Sequence, residues 1–245
     1  MSARVVSSAV VAGFLVAAAS ATAQEDIAVS FSGSATLVND YTFRGISQTG
    51  EAPAVQAGIS AAIGSVYLGT WGSSLDFGSV DADDRATAEV DLFGGVATSL
   101  GGAADIDLGV FYYLYPGGGF DGYDFVEFAL GVSRGVGNVS AGVSAAYSPD
   151  FFGDSGSAIY LGGSLGLDIP TAPLSLSASL GRQSIDDNDA FGTPDYVDYS
   201  IGASLSTMGL SLGAAAVGTN LDESDCFGGD PLCKTRIVLS LGMEL

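Results

Sequence analysis

Apolar and small polar residues alternate along most of this chain, and this alternation restricts its fold more than any other feature. Between Leu174 and Leu180, three leucines and an alanine alternate with three serines, and the segment from Val197 to Leu205 repeats the pattern. Because successive side chains of a β-strand point to opposite faces, such segments predict strands with one apolar and one polar face. Large apolar side chains are too few for the two packed sheets of a soluble sandwich. We therefore favour a barrel with its apolar face turned outward.

Twelve such segments follow one another, and long acidic loops alternate with short turns between them. Long and short connections consequently fall on opposite ends of the strands. An even number of antiparallel strands of about 10 residues with this asymmetry is typical of a bacterial outer-membrane barrel. We predict an all-β fold, namely a transmembrane antiparallel up-and-down β-barrel of about 12 strands. The predicted strands run approximately over 27–43, 53–63, 65–77, 86–99, 105–115, 123–135, 138–148, 157–168, 173–184, 195–206, 209–220 and 235–245.

Residues 1–23 have the pattern of a secretory signal peptide. A short positive start precedes the apolar run from Val5 to Ala19, and Ala21-Thr22-Ala23 is a cleavage site of the A-x-A type. The apolar run is shorter than the ~20 residues that a membrane-spanning helix needs, which argues against an anchor. We expect residues 24–245 to form the barrel in the outer membrane of a Gram-negative bacterium, with the lipid bilayer as a partner. The alternation over residues 237–245 is typical of a signal for the outer-membrane assembly machinery, a second expected partner.

The chain is strongly acidic. Its formal net charge is −21, with 28 acidic residues, seven basic residues and no histidine. Phosphate binding needs clustered Lys and Arg, so we predict no nucleic-acid partner. Most acidic residues, such as Asp81, Asp83 and Asp84, fall in the long loops, where a solvated surface explains them better than divalent-cation binding, since no loop has the D-x-D-x-DG pattern. The sequence predicts neither a metal site nor a cofactor.

The alternation also predicts which polar side chains of the first hairpin point into the barrel. In strand 1 it places Tyr41 and Phe43 on the lipid face and Asp40 and Arg44 on the inside. Residues 45–52 are then the first external loop, and Gln56 re-enters on the lumen face. Asp40, Arg44 and Gln56 are predicted to line the outer mouth.

Strands 4 to 6 carry carboxylates of inward parity. Such residues could form a glycosidase pair, but they more simply hydrate a lumen and attract cations. We also place Arg134 and Arg182 in the lumen as counter-charges, and we expect aromatic residues beside the long loops to lie at the membrane interface. The predicted acidic wall consists of Glu89, Asp91, Asp105, Asp107 and Glu127.

Motifs for enzymatic chemistry are weak. The pattern G-x-S-x-G occurs at 131–135 and at 162–166, but both segments are predicted as continuous strand, whereas a nucleophile elbow needs a strand-to-helix turn and normally a histidine base. We therefore do not predict an enzyme. Cys226 and Cys233 lie in one loop of an exported chain, where the oxidising compartment favours a local disulfide.

Five segments resemble one bacterial family. They are DYTFRGISQT from Asp40, PAVQAG from Pro53, GTWGSSLDF from Gly69, VFYYLYPG from Val110 and DFVEFALGVS from Asp124. These segments are similar to the TorF-type porin family of proteobacterial outer membranes, and the strand rhythm extends the likeness along the chain. The resemblance implies a β-barrel that works as a porin.

Two functions follow from these observations. The first is an outer-membrane porin in which small hydrophilic solutes or cations diffuse passively through a narrow acidic lumen. The alternative is a non-conducting barrel that acts as an adhesion or envelope-stability protein through its acidic loops. Side chains that plug the lumen would favour the alternative.

Overall fold

The computed structural model describes residues 28–77, 85–119 and 121–245. The predicted signal peptide lies outside these residues, and so do Asp81, Asp83 and Asp84. Among the residues described, twelve strands close into one antiparallel barrel, which confirms the predicted fold class. The barrel strands are β1 (Val29–Val38), β4 (Ala54–Ile63), β5 (Val66–Ser74), β6 (Ala88–Ser99), β7 (Asp105–Leu114), β8 (Phe125–Val136), β9 (Val139–Ser148), β10 (Ala158–Ile169), β11 (Leu174–Ile185), β12 (Tyr196–Thr207), β13 (Leu210–Thr219) and β14 (Arg236–Glu244).

The barrel closes between its first and last strands. Leu37 of β1 lies opposite Val55 of β4 on one side and opposite Leu241 of β14 on the other. Every barrel strand therefore has two hydrogen-bonded neighbours. Because a closed ladder leaves no unpaired edge, its backbone groups are satisfied without water.

Short elements outside the barrel wall lie in the long connections. Strands β2 (Thr42–Phe43) and β3 (Ile46–Ser47) form a separate two-stranded hairpin between β1 and β4. Helix α1 (Asn188–Phe191) lies between β11 and β12, one 3-10 turn (Asp121–Tyr123) lies before β8, and two (Glu223–Asp225 and Pro231–Cys233) lie before β14. In the part of the chain that the structure describes, no helix is long and apolar enough to cross a membrane.

The outside of the barrel is apolar, as the alternation predicts. Phe31 of β1 is 79% exposed and Ile201 of β12 is 70% exposed. Each of the remaining ten barrel strands also carries large exposed apolar residues at its outward positions. In water this surface would be unfavourable by about 25 cal/mol for each Å² of apolar area, whereas in hydrocarbon it is satisfied. The exterior therefore fits a lipid bilayer.

The interior divides into two halves. The outer half lies beside the long loops, and the inner half lies beside the short turns. Most buried aromatic and charged residues belong to the outer half, including Tyr113, Phe125 and Glu127, whereas Tyr67 is buried beside a short turn in the inner half. The inward positions near the short turns carry mainly Ser and Gly, such as Ser60, Ser133 and Ser164.

Candidate functional site

The segment from Asn39 to Pro53, here called the inserted loop, folds into the outer half of the barrel. Strand β1 ends at Val38, so residues 39–53 leave the wall. Tyr41 and Ile46 are each 4% exposed, and Ser47 and Thr49 are also buried. Our prediction of an external loop with Tyr41 and Phe43 on the lipid face was therefore wrong. The alternation of side chains within a strand does not predict where side chains point beyond the residue at which the strand's pairing ends.

Asp40 organises this loop. Its Oδ1 accepts hydrogen bonds from the hydroxyls of Ser47 at 2.6 Å and Thr49 at 2.9 Å, and its Oδ2 lies 2.8 Å from Nη1 of Arg236 in β14. Both partners of the Asp40–Arg236 ion pair are almost fully buried. The carboxylate thus satisfies two loop hydroxyls and ties the loop to the last strand. Arg236 is not among the residues predicted from the sequence, although the outward parity of Ile237 already places it inside the barrel.

Arg44 lies at the tip of the hairpin and reaches across the interior. Its guanidinium donates to Glu127 Oε2 at 2.8 Å and to Gln183 Oε1 at 2.7 Å, and its Cζ lies 4.2 Å from the ring centre of Tyr160. Burial alone would lower the pKa of Arg44, but the neighbouring Glu127 carboxylate outweighs it and raises that pKa above its ordinary value. Arg44 is therefore a buried cation that is held by one carboxylate.

The hairpin tip is fitted closely to the wall. Arg44 and Gly45 both have positive φ values, 46° and 82°, as a two-residue hairpin turn requires. A Cβ atom at Gly45 would lie 2.6 Å from the carbonyl oxygen of Gly218 in β13. A larger residue at position 45 would therefore push the tip away from the strand.

Three carboxylates of the predicted acidic wall lie buried under the inserted loop. Glu89 accepts a hydrogen bond from the Tyr41 hydroxyl at 2.8 Å, and Glu127 accepts one from Tyr113 at 3.1 Å in addition to its Arg44 contact. Asp91 is 1% exposed, and its Oδ1 has no hydrogen-bond partner among the residues described. Burial raises the pKa of Tyr41, and the Glu89 and Asp91 charges add to this effect. Tyr41 therefore keeps its proton and donates a hydrogen bond to Glu89.

The other predicted residues lie apart from this group. Asp105 and Asp107 are half-buried near the short turns, in the inner half, and Asp107 Oδ1 accepts a hydrogen bond from Tyr67 at 2.7 Å. Gln56 is half-buried on β4, with Nε2 3.5 Å from the Ser73 hydroxyl. The structure thus joins Arg44 to Glu127, and Tyr41 to Glu89, but it does not form one continuous wall from all five carboxylates.

Two predictions about orientation are corrected. Arg134 and Arg182 have the parity of the outward residues of β8 and β11, and both are exposed; Arg182 lies 3.4 Å from Asp195 on the outer surface. Most aromatic residues beside the long loops point inward, whereas Tyr112 and Tyr147 point outward. The prediction that these rings lie at the membrane interface was made for inward and outward positions alike, and it fits only the outward ones.

The inward rings surround a cavity at the outer end of the barrel, here called the aromatic cup. Its volume is about 190 Å³. The cup is lined by Phe43, Ile46, Ser47, Gln48, Phe77, Tyr115, Tyr123, Phe125, Phe151, Phe152, Phe191, Tyr196, Phe227, Asp230 and Leu232. Next to it, Cys226 and Cys233 form a disulfide in the structure, with both residues buried.

Potential metal ligands are scattered rather than clustered. Across residues 28–77, 85–119 and 121–245, no group of three or more His, Cys, Asp or Glu side chains is arranged to hold a metal ion. Several acidic side chains of the interior are instead paired with arginine or tyrosine, namely Asp40, Glu89, Asp107 and Glu127.

The closed twelve-stranded barrel with an apolar exterior places the chain in the fold class of outer-membrane porins. Residues 21–242 match the family described as "Bacterial protein of unknown function (Gcw_chp)", and the chain belongs to this family. No curated protein matches the chain.

Solved porin structures share the fold. A structure described as "KdgM porin" has a TM-score of 0.56 and 8% sequence identity, and the alignment covers 87% of this chain and 97% of that one. The "NanC porin" structure has a TM-score of 0.55 and 9% identity, with 87% and 98% covered. A "KdgM porin in complex with disordered oligogalacturonate" has a TM-score of 0.55 and 6% identity, with 89% and 98% covered. At these identities the likeness concerns the fold.

Proposed function

We propose that this chain is a TorF-type porin of the Gram-negative outer membrane, through which small hydrophilic solutes, and cations in particular, diffuse passively. The observation that carries the proposal is the combination of a closed, apolar-walled barrel with an inner half lined mainly by Ser and Gly, with Tyr67, Asp105 and Asp107 as its larger side chains. Small polar side chains leave room for water in the bore, and bulky ones would fill it. The signal peptide, residues 1–23, and the bilayer and assembly machinery as partners belong to the same proposal.

The charges of the interior support a preference for cations. Arg44 and Arg236 are each paired with a carboxylate, Glu127 and Asp40. Glu89, Asp91 and Asp107 have no arginine or lysine within ion-pair distance among the described residues. Of these three, Asp107 is half-buried and faces the inner half of the bore, where a carboxylate concentrates cations and repels anions.

The same charges argue against an acidic oligosaccharide as the solute. The KdgM structure holds oligogalacturonate, which is a chain of sugar acids. Recognition of such a polyanion needs free Arg or Lys side chains, because these groups bind carboxylates in pairs. Among the described residues of the inserted loop and the barrel strands, the inward arginines Arg44 and Arg236 are already held by the chain's own carboxylates.

The inserted loop is the constriction of the proposed pore. It lies in the outer half of the barrel and is held by two buried ion pairs, and packed aromatic rings surround it. We therefore expect a conductance that is small for a barrel of this size. This proposal places the predicted pore-lining residues at two sites. The inner half contains Asp105 and Asp107. The constriction contains Asp40, Arg44, Gln56, Glu89, Asp91 and Glu127.

A second candidate has an observation in its favour. Because aromatic side chains and the inserted loop fill the outer half, the barrel could be closed and serve as an adhesion or envelope-stability protein through its acidic loops. The two candidates differ in one measurable property, which is conduction.

The experiment is a planar-bilayer recording of the purified protein. We expect small, discrete, cation-selective steps, and replacement of residues 41–48 by a Gly-Ser segment should raise the conductance several-fold. Asp105→Asn with Asp107→Asn, which neutralises the two half-buried carboxylates of the inner half, should reduce the cation preference, while Asp154→Asn, an exposed loop carboxylate, should not. Silent bilayers from both the native chain and the loop variant, with a folded heat-modifiable barrel on a gel, would support the non-conducting candidate.

A further inference from the structure

We infer that the aromatic cup is a binding site for one small aromatic molecule that is uncharged or positively charged. The cup shares Phe43, Ile46, Ser47 and Gln48 with the inserted loop, and its occupation can be measured on the folded protein without conduction. The inference therefore does not depend on the proposed porin function.

The cup is built by the convergence of all six long loops. Phe43 comes from the inserted loop, Phe77 from the loop after β5, Tyr123 from the loop before β8, and Phe152 from the loop after β9. Phe191 of α1 and Phe227 of the last loop complete the ring of side chains. Residues from six separate connections meet around one cavity, so the cavity is a property of the tertiary fold rather than of a single loop.

The rings of the cup support one another. Tyr123 and Phe152 stack with centroids 5.0 Å apart, and Phe77 meets Phe152 edge to face at 5.7 Å. Phe191 and Phe227 meet in the same manner at 5.6 Å. Such contacts restrict the side chains before a ligand arrives, and a preorganised site loses less conformational entropy on binding.

The size of the cup selects a small ring. Its volume of about 190 Å³ is somewhat larger than the ~150 Å³ of an apolar protein cavity that binds benzene. A single substituted aromatic ring therefore fits within it. Aromatic walls also favour a planar ring over a saturated one of equal size, because offset-stacked and edge-to-face contacts depend on the π-system.

Charge determines which substituents the site accepts. Asp230 is part of the lining, and the aromatic faces attract cations through their quadrupoles. The neighbouring long loops carry further carboxylates, among them Asp186, Asp187 and Asp222. Arg44 lies 4.6 Å from the ring centre of Phe43, but Glu127 neutralises its charge. The remaining charge around the cup is negative, so an ammonium substituent is favoured and a carboxylate substituent is repelled.

The disulfide gives one wall of the cup its shape. Phe227, Asp230 and Leu232 all lie between Cys226 and Cys233, and the two cysteines are buried beside them. A cross-link across seven residues restricts the conformations that this loop can adopt. Loss of the cross-link should therefore weaken binding while the twelve strands remain paired.

The test is a titration of the protein in lipid nanodiscs, which avoids competition by detergent. The probes are benzylamine, benzyl alcohol, benzoate and cyclohexylmethylamine, and binding is followed by calorimetry and by saturation-transfer NMR against empty nanodiscs. Benzylamine and benzyl alcohol should bind, whereas cyclohexylmethylamine and benzoate should each bind about tenfold more weakly or not at all.

Variants locate the site. Phe152→Ala should weaken benzylamine binding about tenfold, and Phe152→Leu should do the same if the alanine variant fails to fold. Cys226→Ala with Cys233→Ala should also weaken it. Phe31→Ala, which removes a ring on the lipid face, should have no effect. Equal affinity for benzylamine and its saturated analogue, or native affinity in a folded Phe152 variant, would overturn the inference.

Discussion

The outer and inner halves of the barrel interior are formed by the same strands, yet they hold different side chains. Along β8, Phe125 and Glu127 are buried near the long loops, while Ser133 is half-buried near the short turn. The outer half is packed with rings, ion pairs and the inserted loop; the inner half is lined mainly by small groups, with Tyr67 and Asp107 as exceptions. The comparison shows that alternation determines where a side chain points, whereas its size determines whether the bore is filled.

The largest effect should come from removing a buried charge in the outer half. Glu127→Ala leaves the Arg44 guanidinium, whose side chain is 8% exposed, without its carboxylate. Because an uncompensated buried charge is strongly unfavourable, the free energy of unfolding should fall by about 3–5 kcal/mol. Urea unfolding of the protein refolded into lipid vesicles measures this loss.

The matched control lies on the same strand in the inner half. Ser133→Ala should change the free energy of unfolding by no more than about 0.5 kcal/mol, since it removes neither a packed ring nor an ion pair. A loss of less than about 1 kcal/mol in Glu127→Ala would be typical of an exposed ion pair. That result would mean that water reaches Arg44 and that the two halves do not differ as described.

A smaller effect is expected where the inserted loop meets the wall. Tyr41→Phe removes the donor that lies 2.8 Å from Glu89 Oε1, so one hydrogen bond to a charged group is lost. We expect the free energy of unfolding to fall by about 1.5–3 kcal/mol in the same urea assay. Tyr112→Phe is the control, because Tyr112 points outward and is 43% exposed. Equal losses in both variants would show that the Tyr41 contact is not specific to the outer half.

The barrel wall could be predicted from the sequence because lipid demands an uninterrupted pattern. Every outward position in a segment such as Val197–Leu205 must be apolar, since hydrocarbon offers no partner for a polar group. The alternation therefore predicts the number of strands and their direction. The alternation, continued to the loop ends of β14 and β11, places Arg236 inside and Arg182 outside.

The inserted loop could not be predicted, because its signals are local and weak. Its hairpin turn is Arg44-Gly45, while the strong sequence signals for such turns are Asn-Gly and Asp-Gly. Thr42 and Phe43 continue the alternation of β1 by composition, although they pair with Ser47 and Ile46 instead of with the barrel. The interactions that hold the loop, such as Arg44 with Glu127, join residues 83 positions apart in the chain.

The smallest effect should come from the exposed counterpart of the buried ion pair. Arg182 and Asp195 are 3.4 Å apart on the outer surface, and their side chains are 63% and 34% exposed. Partial burial acts to raise the pKa of Asp195, but hydrogen bonds from the Ile185 amide, Ser184 and Arg182 outweigh it and lower that pKa. A carboxylate with a lowered pKa stabilises the fold above its ordinary pKa of about 3.9 and loses this contribution as the pH falls through the folded-state value.

Asp195→Asn should therefore reduce the free energy of unfolding by less than about 1 kcal/mol at neutral pH, and the difference from the native chain should shrink as the pH falls below about 4. Urea titrations at both pH values, with Asp154→Asn as an exposed control, measure the difference. The loss of unfolding free energy in Asp195→Asn can be compared with the loss in Glu127→Ala, because both substitutions remove a carboxylate from an arginine. If the two losses were equal, burial would add nothing to the Arg44–Glu127 pair, and the outer half would be as wet as the surface.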